Sequence, residues 1–172
     1  PGNPHMAQGE TRLKDASRDA EEADWIEKLF ARKNRLTWQF CHFSKIARDI
    51  PDIHDSRPHR VNQHICLFVC KGSTSLSVNR ENIKVSAGDF FWLAPGALHW
   101  FFIARGMHLY FLIFRFQDGN TDLRPASDYL HLQNAWDLQP HFRELHGETS
   151  LGRPLREEKL RALTTALFIE VF

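Results

Sequence analysis

Histidine is the residue type best able to do chemistry in this chain, and there are ten of them in 172 residues. An imidazole can ligate a metal, move a proton near neutral pH or hold a hydrogen bond. His99 stands out by its setting. It closes the run GDFFWLAPGALH (88–99), in which four large apolar residues lead into a Pro-Gly turn and then the imidazole. A buried strand, a tight turn and a histidine in that order suit a metal-binding β-barrel enzyme. They also suit a barrel that has kept its frame and given up the metal. The other spacings are poorer. His141 and His146 are five apart, off the spacing that places two ligands on one helix face. His54, His59 and His64 form a five-residue ladder across a loop and a strand, with no regular geometry to aim them together. Cys41 and His42 are neighbours in sequence only, and an inert core thiol is the simpler reading. HExxH, GxSxG and glycine loops that cradle phosphate are absent from the sequence.

The segments that must position His99 read as closely spaced strands. HICLFVC (64–70) is apolar on both faces and stops at Lys71-Gly72. SLSVN (75–79) and NIKVS (82–86) alternate, FFWLA (90–94) stops at Pro95-Gly96, HWFFIA (99–104) stops at Arg105-Gly106, and MHLYFLIFRF (107–116) is the longest. Turn signals recurring at such short intervals point to an antiparallel sandwich or barrel rather than to alternating strands and helices. Strands apolar on both faces need one face on the barrel interior and a second cover outside, and helices supply that cover. LTWQFCHF (36–43) reads as an earlier strand and RDIPDIHDSRP (48–58) as a loop. Residues 1–35 divide into PGNPH, which looks like a tag or vector remnant, a polar lead, and an amphipathic helix marked by Trp25, Ile26, Leu29 and Phe30.

Three units follow: this lead with its helix (1–35), a barrel (36–118), and a linker with two helices (119–172). A short helix is expected over 136–147, and LREEKLRALTTALFIEVF (155–172) runs helically to the last residue. Leu160, Leu163, Leu167 and Val171 form one stripe, widened by Ala162, Ala166 and Ile169. A helix of this length needs a partner surface. That surface is either its own barrel or, as a dimerisation seam, a second copy. The pattern carries no final cap, which points to further protein beyond it.

Composition excludes several classes. A net charge of +1 gives no basic field for holding nucleic-acid phosphates. Three cysteines without a CxxC pair make no disulfide framework, and Cys66 and Cys70 read as small buried hydrophobes. Neither an 18-residue apolar span nor a signal-peptide core is present. A reducing cytoplasm, away from membranes, suits these features. The 14 Phe and 5 Trp suggest a core or pocket rich in rings.

Gly88-Asp89, the strand Phe90–Leu93, the turn Pro95-Gly96 and His99 together resemble the second motif of cupins, double-stranded β-helices of the jelly-roll type. That family implies a first motif of two histidines and a glutamate. Counted back from Lys71-Gly72, the glutamate slot falls on Ile65 and the histidine slots on His59 and Val61. Two histidines are short of the three convergent donors a metal needs. His64, one residue from the glutamate slot, should face the other way along its strand. The whole ordered set, from Arg57-Pro58 through Pro95-Gly96-Ala97-Leu98-His99 to the terminal helices, resembles the N-terminal sensor domain of AraC-type transcriptional regulators over roughly residues 50–172.

The resemblance implies a mainly β, cupin-like barrel with two C-terminal helices, a small-molecule effector in the barrel, and a homodimer through the stripe Leu160, Leu163, Leu167 and Val171. DNA would be contacted only by a helix-turn-helix domain missing from this chain. Arg57, His59, His99, Phe101, Leu109 and Phe111 are the expected effector-binding residues, with no metal and no cofactor. Phe101 follows His99 by strand parity, and the family pattern adds Leu109 and Phe111. Carbon at those last two positions argues against a sugar and for a more apolar, aromatic or acidic effector. Two other readings stay open: a metal-dependent cupin dioxygenase or isomerase using His59 and His99, and a dimerisation barrel filled by its own rings.

Overall fold

The computed structural model describes residues 36–47, 53–54, 57–118, 120–122, 124, 127–151 and 154–171. The expected N-terminal helix lies outside them. Among the described residues, ten strands and two helices follow one another: β1 (Leu36–Ala47), β2 (Ile53–His54), β3 (His64–Lys71), β4 (Ser73–Val78), β5 (Glu81–Ser86), β6 (Phe90–Leu93), β7 (His99–Ile103), β8 (His108–Asp118), β9 (Thr121–Asp122), β10 (Tyr129–Leu132), a 3-10 turn (Trp136–Leu138), α1 (Gln139–Leu151) and α2 (Arg156–Val171). All pairings are antiparallel. One sheet runs β1-β8-β3-β6-β10 with β9 on β8, and the other runs β2-β7-β4-β5.

Strand parity explains why the larger sheet is apolar on both sides. In β3, Ile65, Leu67 and Val69 point to one cluster while Cys66 and Phe68 point to the other. In β6 the same division separates Phe91 and Leu93 from Phe90 and Trp92. In β8 it separates Leu109, Phe111 and Ile113 from Tyr110, Leu112, Phe114 and Phe116. The first set meets Leu76, Val78 and Val85 of the smaller sheet and forms the barrel interior. The second set meets Leu138, Phe142 and Leu145 of the 3-10 turn and α1, and Leu160, Leu167 and Phe168 of α2. The helices are thus the outer cover that two-sided apolar strands require, and the fold is a cupin-like β-barrel with two C-terminal helices.

This packing corrects the expected dimer seam. Leu160 and Leu167 are each 1% exposed against the chain's own sheet, and Leu163 and Val171 pack on the same cluster. Apolar residues lie on several sides of this helix, and the leucine side is the one the barrel takes. The opposite face keeps Ile169 60% exposed.

The larger sheet also extends past residue 118, because β10 pairs with β6 in register Tyr129↔Leu93 to Leu132↔Phe90. A four-residue strand following a loop carries too short a period to read. β1 runs four residues beyond the expected 36–43 and contains a bulge between Phe40 and His42.

Candidate functional site

The barrel interior is the candidate site, and most of its wall is carbon. Ile65 is 4% exposed and Leu109 2%, while Phe101, Phe111, Ile113, Val61 and Tyr129 are half-buried members of the same cluster. Phe101 of β7 and Phe111 of β8 bring their ring centroids to 6.0 Å. Parity carries both onto this face. Ile65 occupies the interior position where the cupin pattern would bring a carboxylate, and Val61 packs on the same cluster.

The polar element is a histidine pair. His59 and His99 form an isolated antiparallel bridge, each amide donating to the other's carbonyl at 3.0 Å. Their rings lie 4.5 Å apart, tilted by 54°. His99, 1% exposed, donates from Nδ1 to the Ala97 carbonyl at 3.1 Å. His59 donates from Nδ1 to the Arg57 carbonyl at 3.3 Å. A carbonyl only accepts, so both rings carry their proton on Nδ1, and the tautomer is fixed by backbone two residues upstream. Arg57 itself is exposed in the loop leading to His59. Of the six expected residues, His59 and His99 pair with each other, Phe101, Leu109 and Phe111 share the interior cluster, and the Arg57 side chain is exposed. Among the described residues, no three His, Cys, Asp or Glu side chains converge so as to hold an ion.

His64 faces the helices. It is fully buried, accepts the Trp92 indole N–H at Nδ1 (3.2 Å), and stacks on Phe114 with centroids 5.0 Å apart. An accepting Nδ1 makes this ring neutral, with its proton on Nε2. Cys66 lies in the same layer, where burial pushes its thiol well above the ordinary range. Burial also raises the Tyr110 hydroxyl, with Cys70 adding to the rise and Arg143 opposing it.

Two interior residues escaped the sequence reading. Tyr129 of β10 stacks on Phe91 (5.3 Å, 10°) and donates its hydroxyl to Glu81 at 3.0 Å. His131, two residues on, sits 5.7 Å from the Phe91 ring. Alternation in YLHL was the available signal, but four residues do not separate a strand from a loop.

The family model described as AraC-like ligand binding domain matches residues 42–167. Among solved structures, ToxT from Vibrio cholerae O395 is 9% identical, with 80% of this chain and 54% of that chain covered at a TM-score of 0.45. ToxT of strain SCE256 with bound unsaturated fatty acid is 8% identical, covering 77% of this chain and 51% of that one at 0.43. A cupin protein from Bacteroides fragilis is 16% identical, covering 46% of this chain and 65% of that one at 0.34. The chain thus spans just over half the length of ToxT and under two thirds of the Bacteroides protein. No curated protein matches in sequence. The family match spans well over half of the residues, and on it the chain belongs to the AraC-like ligand-binding-domain family.

Proposed function

We propose that the barrel interior holds a small, mostly apolar effector, and that this domain is the sensing module of a bacterial transcriptional regulator whose DNA-binding part lies outside this chain. The observation that carries the reading is the interior itself. Leu109, Phe111 and Ile113 of β8 face Phe101 across an apolar cluster, with the His59–His99 pair as the polar component. Pockets that bind small molecules are mostly apolar with a few placed polar groups. A sugar would leave its hydroxyls facing carbon, and each unpaired buried hydroxyl costs about 1–3 kcal/mol. An aromatic or aliphatic compound with one polar or acidic end suits the wall. Catalysis is no part of the proposal, because Ile65 and Val61 fill ligand slots of the cupin pattern with carbon.

Two copies pair through the outer face of α2. Its residues Glu158, Arg161, Ala162, Thr165, Ala166 and Ile169 line an open groove of about 480 Å³. Small and apolar residues at helical spacing allow close approach of a second helix.

A thermal-shift screen of phenols, aromatic and aliphatic acids, and sugars tests the effector class. A compound at 100 times its Kd adds about 2.7 kcal/mol. For a chain of this size that raises Tm by about 5–10 °C. Stabilisation by apolar acids or phenols is expected. Stabilisation by sugars alone, or stoichiometric metal that is lost in His99→Ala, would overturn the reading.

A further inference from the structure

Residues 128–136 run from the barrel interior to the helices, and they are fastened to the barrel at both ends. At the first end, the Asp128 carbonyl accepts the Ala94 N–H at 2.9 Å, and its carboxylate takes the Asn79 amide and the Arg124 guanidinium. Asn79 occupies the two-residue turn between β4 and β5 with φ of 48°, and its side-chain carbonyl also accepts the Leu98 N–H at 3.2 Å. At the second end stands Asp89, whose carboxylate is largely buried. One oxygen accepts the Ser86 N–H at 2.9 Å and the His131 Nε2–H at 3.1 Å, and the other accepts the Asn134 N–H at 3.4 Å. The Ala135 N–H donates to the Gly88 carbonyl at 2.7 Å. The Trp136 indole lies so close over Gly88 that a Cβ there would meet its Nε1 at 2.5 Å. Gly88 has φ of +90°, so both conformation and space exclude a side chain.

Between these ends, β10 lies between the two clusters. Tyr129 packs with the interior cluster and His131 lies beside Phe91, while Leu130 and Leu132 pack on the helix-side cluster. Only residues 133–135 separate β10 from the 3-10 turn, and α1 follows that turn directly at Gln139. Closely packed elements transmit a displacement as bodies, because neither side chains nor backbone have space to absorb it.

We infer that β10 is a transmission strap: a change at Phe91 or Tyr129 inside the barrel moves the segment that Asp89 ties to the start of α1. The inference rests on the interior being the effector site, and it supplies the route by which occupancy reaches the helices. A ligand shifts such a device only through contacts that differ between its two arrangements. The Phe91–Tyr129 stack is the contact available for that.

The test needs no ligand, so its failure is separate from failure of the effector screen. Amide hydrogen exchange is measured in the whole chain carrying Phe91→Leu, with Tyr129→Phe as a milder variant that removes the hydroxyl bonded to Glu81 and keeps the ring. Phe111→Leu on β8 is the control. Phe91→Leu is expected to speed exchange of residues 134–151 about ten-fold, a range open to local unfolding. Tyr129→Phe should do so less, and Phe111→Leu should not. In an Asp89→Asn background, Phe91→Leu should still speed residues 129–132 but add nothing beyond 134. A Phe91→Leu effect that stops at 132, or that reaches 134–151 equally with Asp89→Asn, overturns the strap.

Discussion

The two faces of the β3–β6–β8 sheet come from the same strands and are built differently. The helix-side face is aromatic and sealed. Phe68, Phe90, Trp92, Phe114 and Phe142 are all within the least exposed side chains of the chain, and Phe168 closes edge-on over Trp92 and Phe114 at 6.0 and 5.3 Å. The interior face is aliphatic at its centre, and although its Phe91 is 1% exposed, its Phe101 and Phe111 rings are only half-buried. One face is packed to hold α1 and α2. The other leaves two of its large rings, Phe101 and Phe111, partly uncovered. That contrast is the physical basis for placing a guest inside the barrel and not under the helices.

The largest effect should come from breaking the sealed face. Phe142 stacks on Phe68 at 5.5 Å and on Tyr110 at 5.8 Å. Phe142→Ala should cost about 3–5 kcal/mol in urea unfolding, the range for emptying a buried ring site. Phe111→Ala on the interior face should cost roughly half as much, because a half-exposed ring gives back less transfer free energy. Equal costs would erase the contrast between the faces.

Outside both clusters, Ile169→Glu should leave monomer stability within about 0.5 kcal/mol, as for surface sites generally. It should also shift sedimentation toward the monomer. A dimer unaffected by this change would place the seam elsewhere. The smallest effect is chemical. Burial raises the Cys66 thiol, so its thiolate is scarcer than usual near pH 8 and its alkylation should be very slow in the folded chain. Cys70, half-buried on the same strand, should be labelled before Cys66. Peptide mass spectrometry after iodoacetamide reads the order, and faster labelling of Cys66 would show that the helix cover opens readily.

Much of this division was legible in the sequence because it is local. Period-two geometry in β3, β6 and β8 divides neighbouring residues between two faces, and the cupin resemblance, by putting its glutamate slot on Ile65, implies which face is inside and turns His64 outward. The run GDFFWLAPGALH announces its strand and turns through Gly88, Pro95 and Gly96. What stayed hidden depends on distant partners. The bond from His131 to Asp89 spans 42 residues, and that from Asn79 to Asp128 spans 49. No period links such positions. The choice of face on α2 was hidden for another reason. With apolar residues on several sides, only the shape of the barrel decides that Leu160 and Leu167 turn inward and Ile169 outward.

The central claim is that a guest sits inside the barrel. The most direct measurement is intermolecular nuclear Overhauser contacts between a stabilising compound and the chain's methyl and ring protons. Contacts to Ile65, Leu109, Phe101 and Phe111 are the result predicted here. Contacts confined to the outer groove at Ala162, Ala166 and Ile169, with none to the interior, would contradict it.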